Sequence, residues 1–538
     1  MRLAVLAALA GLVLAAPAQA APETSPGVRL IASIPERGVV SARAVGRYLY
    51  VSSLTGVSVF DISQPQAPVR VGRLDLPNAQ NEDVDVGSGI MLISDDPYGG
   101  RGVLHVIDIR DPAHPRELST YRTWAPGASL GEARRRGIGH TATCIQRCRY
   151  AWLAGSPSGI EVVDLRDPAR PRRAGRFAAR AAAGIFGTHD VQVDSSGLAW
   201  VAGSDGTAAY DPSRNPVHPR LVMRTDARGA QGPLNDFIHH NSLRLSRRVV
   251  AITEEDFGDQ CKGAGALETW RIARRGRLHP LDTFGVERDG RSRVVCSAHY
   301  FDARDGLIAQ GFYEQGVRLI DARRPGRLRQ VGYYLSRPGL FWGALFAPTD
   351  ASGSTVYGID HSRGIDVLAI DRAALEPIRR RGARRPLKRP KFGFGMGIFG
   401  AAEQLGRGQR VRLVLDVYGR GGPVQVRATV APGLVDVKVP AGVSWDPATR
   451  TLRYTLGRVR GDASRTLRAR VDPAAALGTQ LEVVSYATGP DDPLPLDDRG
   501  VFRAVVTRRG SPPNPSASSA RARPRGWRGF CLLPYDYT

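Results

Sequence analysis

Lysine is nearly absent from this chain: Lys262, Lys388, Lys391 and Lys438 are the only four among 75 basic residues, and arginine supplies the rest. A formal net charge of +24 would ordinarily suggest nucleic acid or an anionic surface as a partner. Here the arginines are scattered, apart from a run in 378–391 that reads as a solvated linker. With the abundant Ala, Gly and Pro they reflect the codon usage of a G+C-rich genome, so nucleic acid is set aside. Long apolar runs are missing after the first 20 residues, and none approaches the roughly 18 residues of a bilayer-spanning helix. Residues 1–20 read as a secretory signal, with Arg2, an apolar run over 3–16 and a small-residue cleavage site at Ala18-Gln19-Ala20. The expected fate is secretion to the extracellular side, with no transmembrane segment left after cleavage. GxSxG, HExxH and P-loop patterns are also missing, so no common catalytic motif points to an activity.

Cysteine is scarce, at five residues, and in an exported chain predicts disulfides. Cys144 and Cys148 flank a strand-to-strand turn and are expected to join across a hairpin. Cys261, in a long loop insertion, is expected to reach Cys296, leaving Cys531 over in the tail. A zinc site at Cys144 and Cys148 is the alternative; the loose spacing and an oxidising compartment favour the bond.

What the sequence has in quantity is a repeat. Residues 188–222, THDVQVDSSGLAWVAGSDGTAAYDPSRNPVHPRLV, contain one full unit. Val191 and Val193 alternate with the period of a half-buried strand. Turns at Ser195-Ser196-Gly197 and Asp205-Gly206 divide it from two further strands, and a Pro-punctuated loop leads to a fourth. Six more units follow the pattern at 41–76, 82–121, 140–178, 239–286, 299–335 and 341–378. Four short antiparallel strands per unit of about 40 residues predict blades of a β-propeller rather than solenoid coils. Proline in the Asp-Pro-x-x-Pro turns has no N–H to lose in a loop, and Asp preorganises the turn through its side-chain acceptor. The seventh unit lacks its outer strand, whereas an orphan copy of that strand stands at 28–34, before any full unit. The orphan is therefore expected to complete the last blade and close the ring, which leaves no exposed edge.

The recurring GVLHVIDIRDPAHPRELS and GIEVVDLRDPARPRRAG resemble the LVIVD-repeat family of secreted bacterial β-propellers, over roughly 28–378. The resemblance implies the fold and no settled activity. THDVQVDSSGLAWVAG with YDPSRNPVHPRLV is also similar to a blade of the selenium-binding protein and methanethiol oxidase family, over one or two units.

The whole chain is read as all-β: a signal peptide at 1–20, a seven-bladed propeller at 28–378, a linker or strap at 379–404, a β-sandwich at 405–507 and a disordered tail at 508–538. KFGFGMGIFG at 391–400 is left open between a strap against the propeller and the start of the next domain. VKVPAGVSWDPATRTLRYTLGRVRGDASRTLRARVDP resembles the immunoglobulin-like conserved-repeat domain of bacterial surface and secreted proteins, which implies a spacer or adhesive module.

Aligning the units on their first strand puts His140, His189, His240 and His299 at the same position of four successive units. Glu82 (or Asp83, one along) takes it in the second unit, and the seventh has it near Trp342. First strands line the central channel of a propeller, so these side chains are expected to form a ring at a wet channel mouth. Imidazole and carboxylate are the side chains that zinc, copper and non-haem iron prefer. Asp190 is a candidate to orient an imidazole by accepting its other N–H, and His239 and His361 are read as second-shell or loop residues. The acidic stretch Glu254, Glu255, Asp256 and Asp259 lacks a regular calcium-loop spacing and is read as a solvated loop. The leading functional reading is an exported binding protein that takes a protein or small-molecule ligand at the channel mouth. The alternative is a metal-dependent, oxidoreductase-like enzyme using the histidine ring.

Overall fold

In this computed structural model the described residues are 21–36, 38–76, 83–95, 102–123, 139–156, 159–179, 186–204, 206–225, 239–255, 265–273, 276, 278–286, 297–336, 339–378, 393–399, 404–489 and 499–508. The signal segment, Glu82, Cys261, Cys296, Cys531 and the tail from 509 on lie outside them, as do Asp256 and Asp259.

Seven antiparallel sheets make up the first two-thirds of the chain. Five of them are simple four-strand meanders, spanning 39–75, 85–121, 141–177, 186–224 and 239–284. A sixth covers 301–335 and the seventh 341–370. We number these sheets as blades 1 to 7. The first strand of each blade lies against the first or second strand of the blade before it, and blade 1 lies against blade 7, so the sheets form a closed ring. Between every two neighbouring blades sits one apolar layer, seven in all. The layer between blades 3 and 4, for example, holds Trp152, Ile160, Val191, Val201 and Tyr210. This explains why both faces of the central strands are apolar: each sheet is sandwiched between two others.

Closure falls where the repeat arithmetic put it. The strand Val28–Pro35 pairs antiparallel with Gly364–Ile370 as the outermost strand of blade 7, from Val28 opposite Ile370 to Pro35 opposite Gly364. Ahead of it, Glu23–Thr24 pairs with Tyr334 and Leu335 on the outer strand of blade 6. Ser25 reinforces that crossing, since its hydroxyl accepts the Tyr333 N–H at 2.9 Å. The first residues of the described chain therefore bind two blades together.

The turn chemistry follows the sequence argument. Asp111 and Asp167, each followed by Pro, accept the backbone N–H two residues on, from Ala113 at 3.0 Å and Ala169 at 3.1 Å. The Asp that ends the third strand does the same: Asp164 accepts from the N–H of Arg166 and Asp321 from that of Arg323. The same arginines return their guanidinium groups to those carboxylates, so part of the large arginine content serves to pin turns.

Cys144 and Cys148 form a disulfide, with Cα atoms 4.2 Å apart, in the hairpin of blade 3. Between them Gln146 and Arg147, and Cys148 itself, have positive φ angles of 52°, 57° and 59°. Three consecutive non-glycine residues in the left-handed region are costly for L-amino acids, and the bond holds the turn in that shape. For a loop this short, loop-closure entropy gives about 2 kcal/mol. We expect Cys144→Ser/Cys148→Ser to lower the thermal midpoint by a few degrees and keep the far-ultraviolet spectrum of the parent. An unchanged midpoint would show that the turn holds without the bond.

Beyond the propeller, two sheets enclose a second core. One pairs Gly393–Phe399, Arg410–Gly421, Val459–Val471 and Leu434–Lys438; the other has six strands. Strict alternation in Val424–Val430 turns Val424, Val426, Ala428 and Val430 onto Leu413, Leu467, Leu481 and Phe502, as a sandwich strand requires. Within the segment left open at 391–400, Gly393–Phe399 is an edge strand of the four-stranded sheet, paired with Arg410–Gly421.

Candidate functional site

Within the propeller, the inner strands bring the four histidines together in chain order. Neighbouring ring centroids are 4.5 Å apart for His140 and His189, 4.3 Å for His189 and His240, and 4.1 Å for His240 and His299. Trp342 follows at 5.3 Å from His299, and His361 stacks on its far face at 5.1 Å. The four side chains aligned by the repeat are thus neighbours, one from each of four successive blades. It misjudges the setting in one respect: the four imidazoles are at most 5 % exposed and do not sit at a wet mouth.

A fifth residue completes the cluster, and the acidic stretch supplies it. Glu255 is 1 % exposed, not a solvated loop residue, and Glu254 beside it is equally buried. Its Oε2 lies 3.9 Å from His189 Nε2 and 3.8 Å from His240 Nε2, and its Oε1 lies 3.8 Å from His299 Nε2. The Tyr313 hydroxyl donates to Oε1. His140 Nε2 is 3.0 Å from His189 Nε2, so these two nitrogens must share either a proton or an ion. One ligand atom from each of His189, His240 and Glu255 lies within 4.8 Å of the others.

Imidazole and carboxylate are the donor types that transition metals take. An ion about 2.0–2.1 Å from its ligands separates neighbouring ligand atoms by about 3.0–3.5 Å; the His140–His189 pair has that spacing, whereas Glu255 lies 3.8–3.9 Å from its imidazoles and would have to close in on an ion. Two imidazoles and one carboxylate match the His₂Glu sets of zinc enzymes and of non-haem iron sites with open positions. The His299 ring fits the same reading. Its Nδ1 donates to the Trp342 carbonyl at 2.5 Å, which in the neutral ring leaves the lone pair on Nε2, on the side of Glu255. Metal-bound histidines are commonly oriented in this way through their other nitrogen. The remaining sector of the ring is apolar: Val40, Leu54, Tyr313, Leu340 and Trp342 pack together there.

Not every sequence candidate joins the cluster. His239 turns the other way, its Nδ1 2.8 Å from the Thr207 hydroxyl and its Nε2 3.7 Å from Glu268, and so serves the packing of blades 4 and 5. Asp190 accepts from Asn241 at 2.9 Å and from Gln192 at 3.3 Å; among the described residues no imidazole donates to it. It lies one residue along from the ring, on the level of Asp83, and Gln192 bridges the two by donating to both carboxylates. Burial pushes Asp190 up to about 6 against the opposing pull of His240. Burial and the nearby Asp190 carboxylate hold Asp83 well above the usual carboxylate range. Two residues beyond that level, Arg43 meets Asp85 at 3.5 Å, and the Asp85 carboxylate raises the Arg43 guanidinium further.

Fold and site together define a β-propeller with a buried, histidine-rich centre in its channel. Comparison with known families finds the LVIVD repeat in two stretches: its model matches residues 40–75 and 100–123. No curated protein matches the chain. Among solved structures, the WD40 β-propeller domain of Doa1 is similar at 10 % identity and a TM-score of 0.41, covering 65 % of this chain and 99 % of that one. The N-terminal domain of Nup159 is similar at 11 % identity and a TM-score of 0.40, covering 64 % of this chain and 95 % of that one.

Proposed function

We propose that this protein is an exported β-propeller that binds a divalent transition metal, with His189, His240 and Glu255 as its core ligands and His140 and His299 on either side. The observation that carries the reading is the buried His189–His240–Glu255 group. Burying a carboxylate among imidazoles is expensive unless charge is balanced there, and a cation balances it. The disulfide in blade 3 agrees with an oxidising compartment, and among the described residues no helix is long and apolar enough to cross a membrane. The second domain, whose sequence resembles immunoglobulin-like conserved repeats, serves as a spacer that displays the propeller.

A second reading, a metal-dependent enzyme of oxidoreductase type, is favoured by the ligand count. Three core ligands leave coordination positions open, the arrangement of catalytic rather than structural sites. Both readings share one test. Protein exported by a native-like host and purified without chelators is expected to carry about one zinc, copper or iron per chain by elemental analysis. Chains that hold none of the three, and take up none when each is added back, would remove both.

A further inference from the structure

The ring is the inner end of a larger space. From Val40 and Trp342 at ring level the channel continues as a cavity of about 550 Å³ to Val45 and Gly46, at the far end of the first inner strand. This is the size of small-molecule sites. Its charged lining is Arg43, Asp83 and Asp302. Arg43 meets Asp85 at 3.5 Å and Gln192 at 3.5 Å and is also drawn on by Asp83 and Asp302, so this one guanidinium is shared among more carboxylates than it can neutralise. Asp302 accepts the backbone N–H groups of Ala303 and Phe346, which fixes its carboxylate, and Arg43 and Arg304 pull on it less than those two amides do.

Two further groups of the wall lack partners among the described residues. The Ser242 hydroxyl and the Trp342 indole N–H both belong to cavity-lining residues, 1 % and 2 % exposed, and neither makes a hydrogen bond. Buried polar groups in native proteins are nearly always satisfied, by protein, water or ligand. The indole can only donate, so whatever meets it must offer an acceptor. The opposite demand, for positive charge, comes from Asp83 and Asp302. Apolar walls at Ala344 and Leu345 complete the cavity.

We propose that this cavity binds a small molecule carrying a protonated amine and an oxygen acceptor, the ammonium group on the side of Asp83 and Asp302 and the oxygen toward Trp342 and Ser242. The site adjoins the histidine ring at Val40 and Trp342, but none of its binding groups is a ring histidine or Glu255, so it does not depend on a metal being held there. Its test uses the full chain after treatment with EDTA, titrated calorimetrically with tyramine and with 3-(4-hydroxyphenyl)propionate, a probe of similar size and opposite charge. Tyramine is expected to bind saturably, one per chain, and at least about tenfold more tightly than the propionate. In Asp83→Asn/Asp302→Asn the two affinities are expected to fall within about threefold of each other. Should that variant fail to fold because Asp302 holds two backbone amides, Asp83→Asn alone must reduce the preference at least about threefold. Trp342→Phe is expected to weaken tyramine while leaving the charge preference in place. No saturable tyramine binding, equal affinity for the anion, or a preference that survives the aspartate substitutions would each overturn the proposal.

Discussion

Deleting Val28–Pro35 is expected to convert the propeller into an aggregating, partly unfolded protein. The strand places one buried and three half-buried large aliphatics, Val28, Leu30, Ile31 and Ile34, against the last blade. At about 1.5–3 kcal/mol for each fully buried side chain, and less for the half-buried ones, the loss is on the order of 5 kcal/mol. Whole domains are stable by roughly 5–15 kcal/mol, so the deletion removes a large fraction of the margin. It also uncovers Gly364–Ile370 as a bare edge, a template for pairing with another chain. Denaturant titration and size-exclusion chromatography read both effects. A truncated chain that stays monomeric and unfolds at the parent's midpoint would show that the ring does not need its latch.

The second large effect concerns the metal. Structural zinc is worth about 10–16 kcal/mol in small domains, or roughly 3 kcal/mol for each of four ligands. Changing His189 and His240 together to Ala should therefore weaken zinc binding by roughly 6 kcal/mol, on the order of 10⁴-fold. Glu255→Gln keeps the shape and removes the charge, and is expected to reduce affinity strongly with little change in the metal-free fold. Because a ligand that binds only the native state stabilises it, zinc should raise the thermal midpoint of the parent and leave that of the double variant unmoved. Undiminished zinc affinity in the double variant would place the ion elsewhere.

Much of this architecture could be read from the residues. The surplus strand at 28–34 and the truncated seventh unit predicted each other, and the pairing of Val28 with Ile370 joins them. Alignment on the first strand also found the four histidines, because rotation about the channel axis carries one inner-strand position into the next. Glu255 escaped that alignment for a physical reason: it directly follows a second strand, Val249–Glu254, not a first one. Leu54 and His361 hold the same place after Tyr48–Ser53 and Thr355–Asp360, and both sit near the ring. Aligning the ends of the second strands would have brought the carboxylate into view. The chain's polarity hid the burial of the ring, since no count of histidines shows that Trp342, Tyr313 and Val40 wall it off.

The latch strand also sets an order of events. A chain made from its N-terminus delivers Val28–Pro35 first, yet the strand's partner at Gly364–Ile370 arrives more than 300 residues later, as the 333-residue separation of the Ser33–Asp366 hydrogen bond shows. Until about two-thirds of the chain has been made, the eight residues of this strand lack their partner. They must wait, shielded by other means, until six blades have assembled and curved round to meet them. Ring closure cannot precede the seventh blade, and until then the unpaired strand and the blade edge it covers are open to chaperones, proteases and neighbouring copies of the chain.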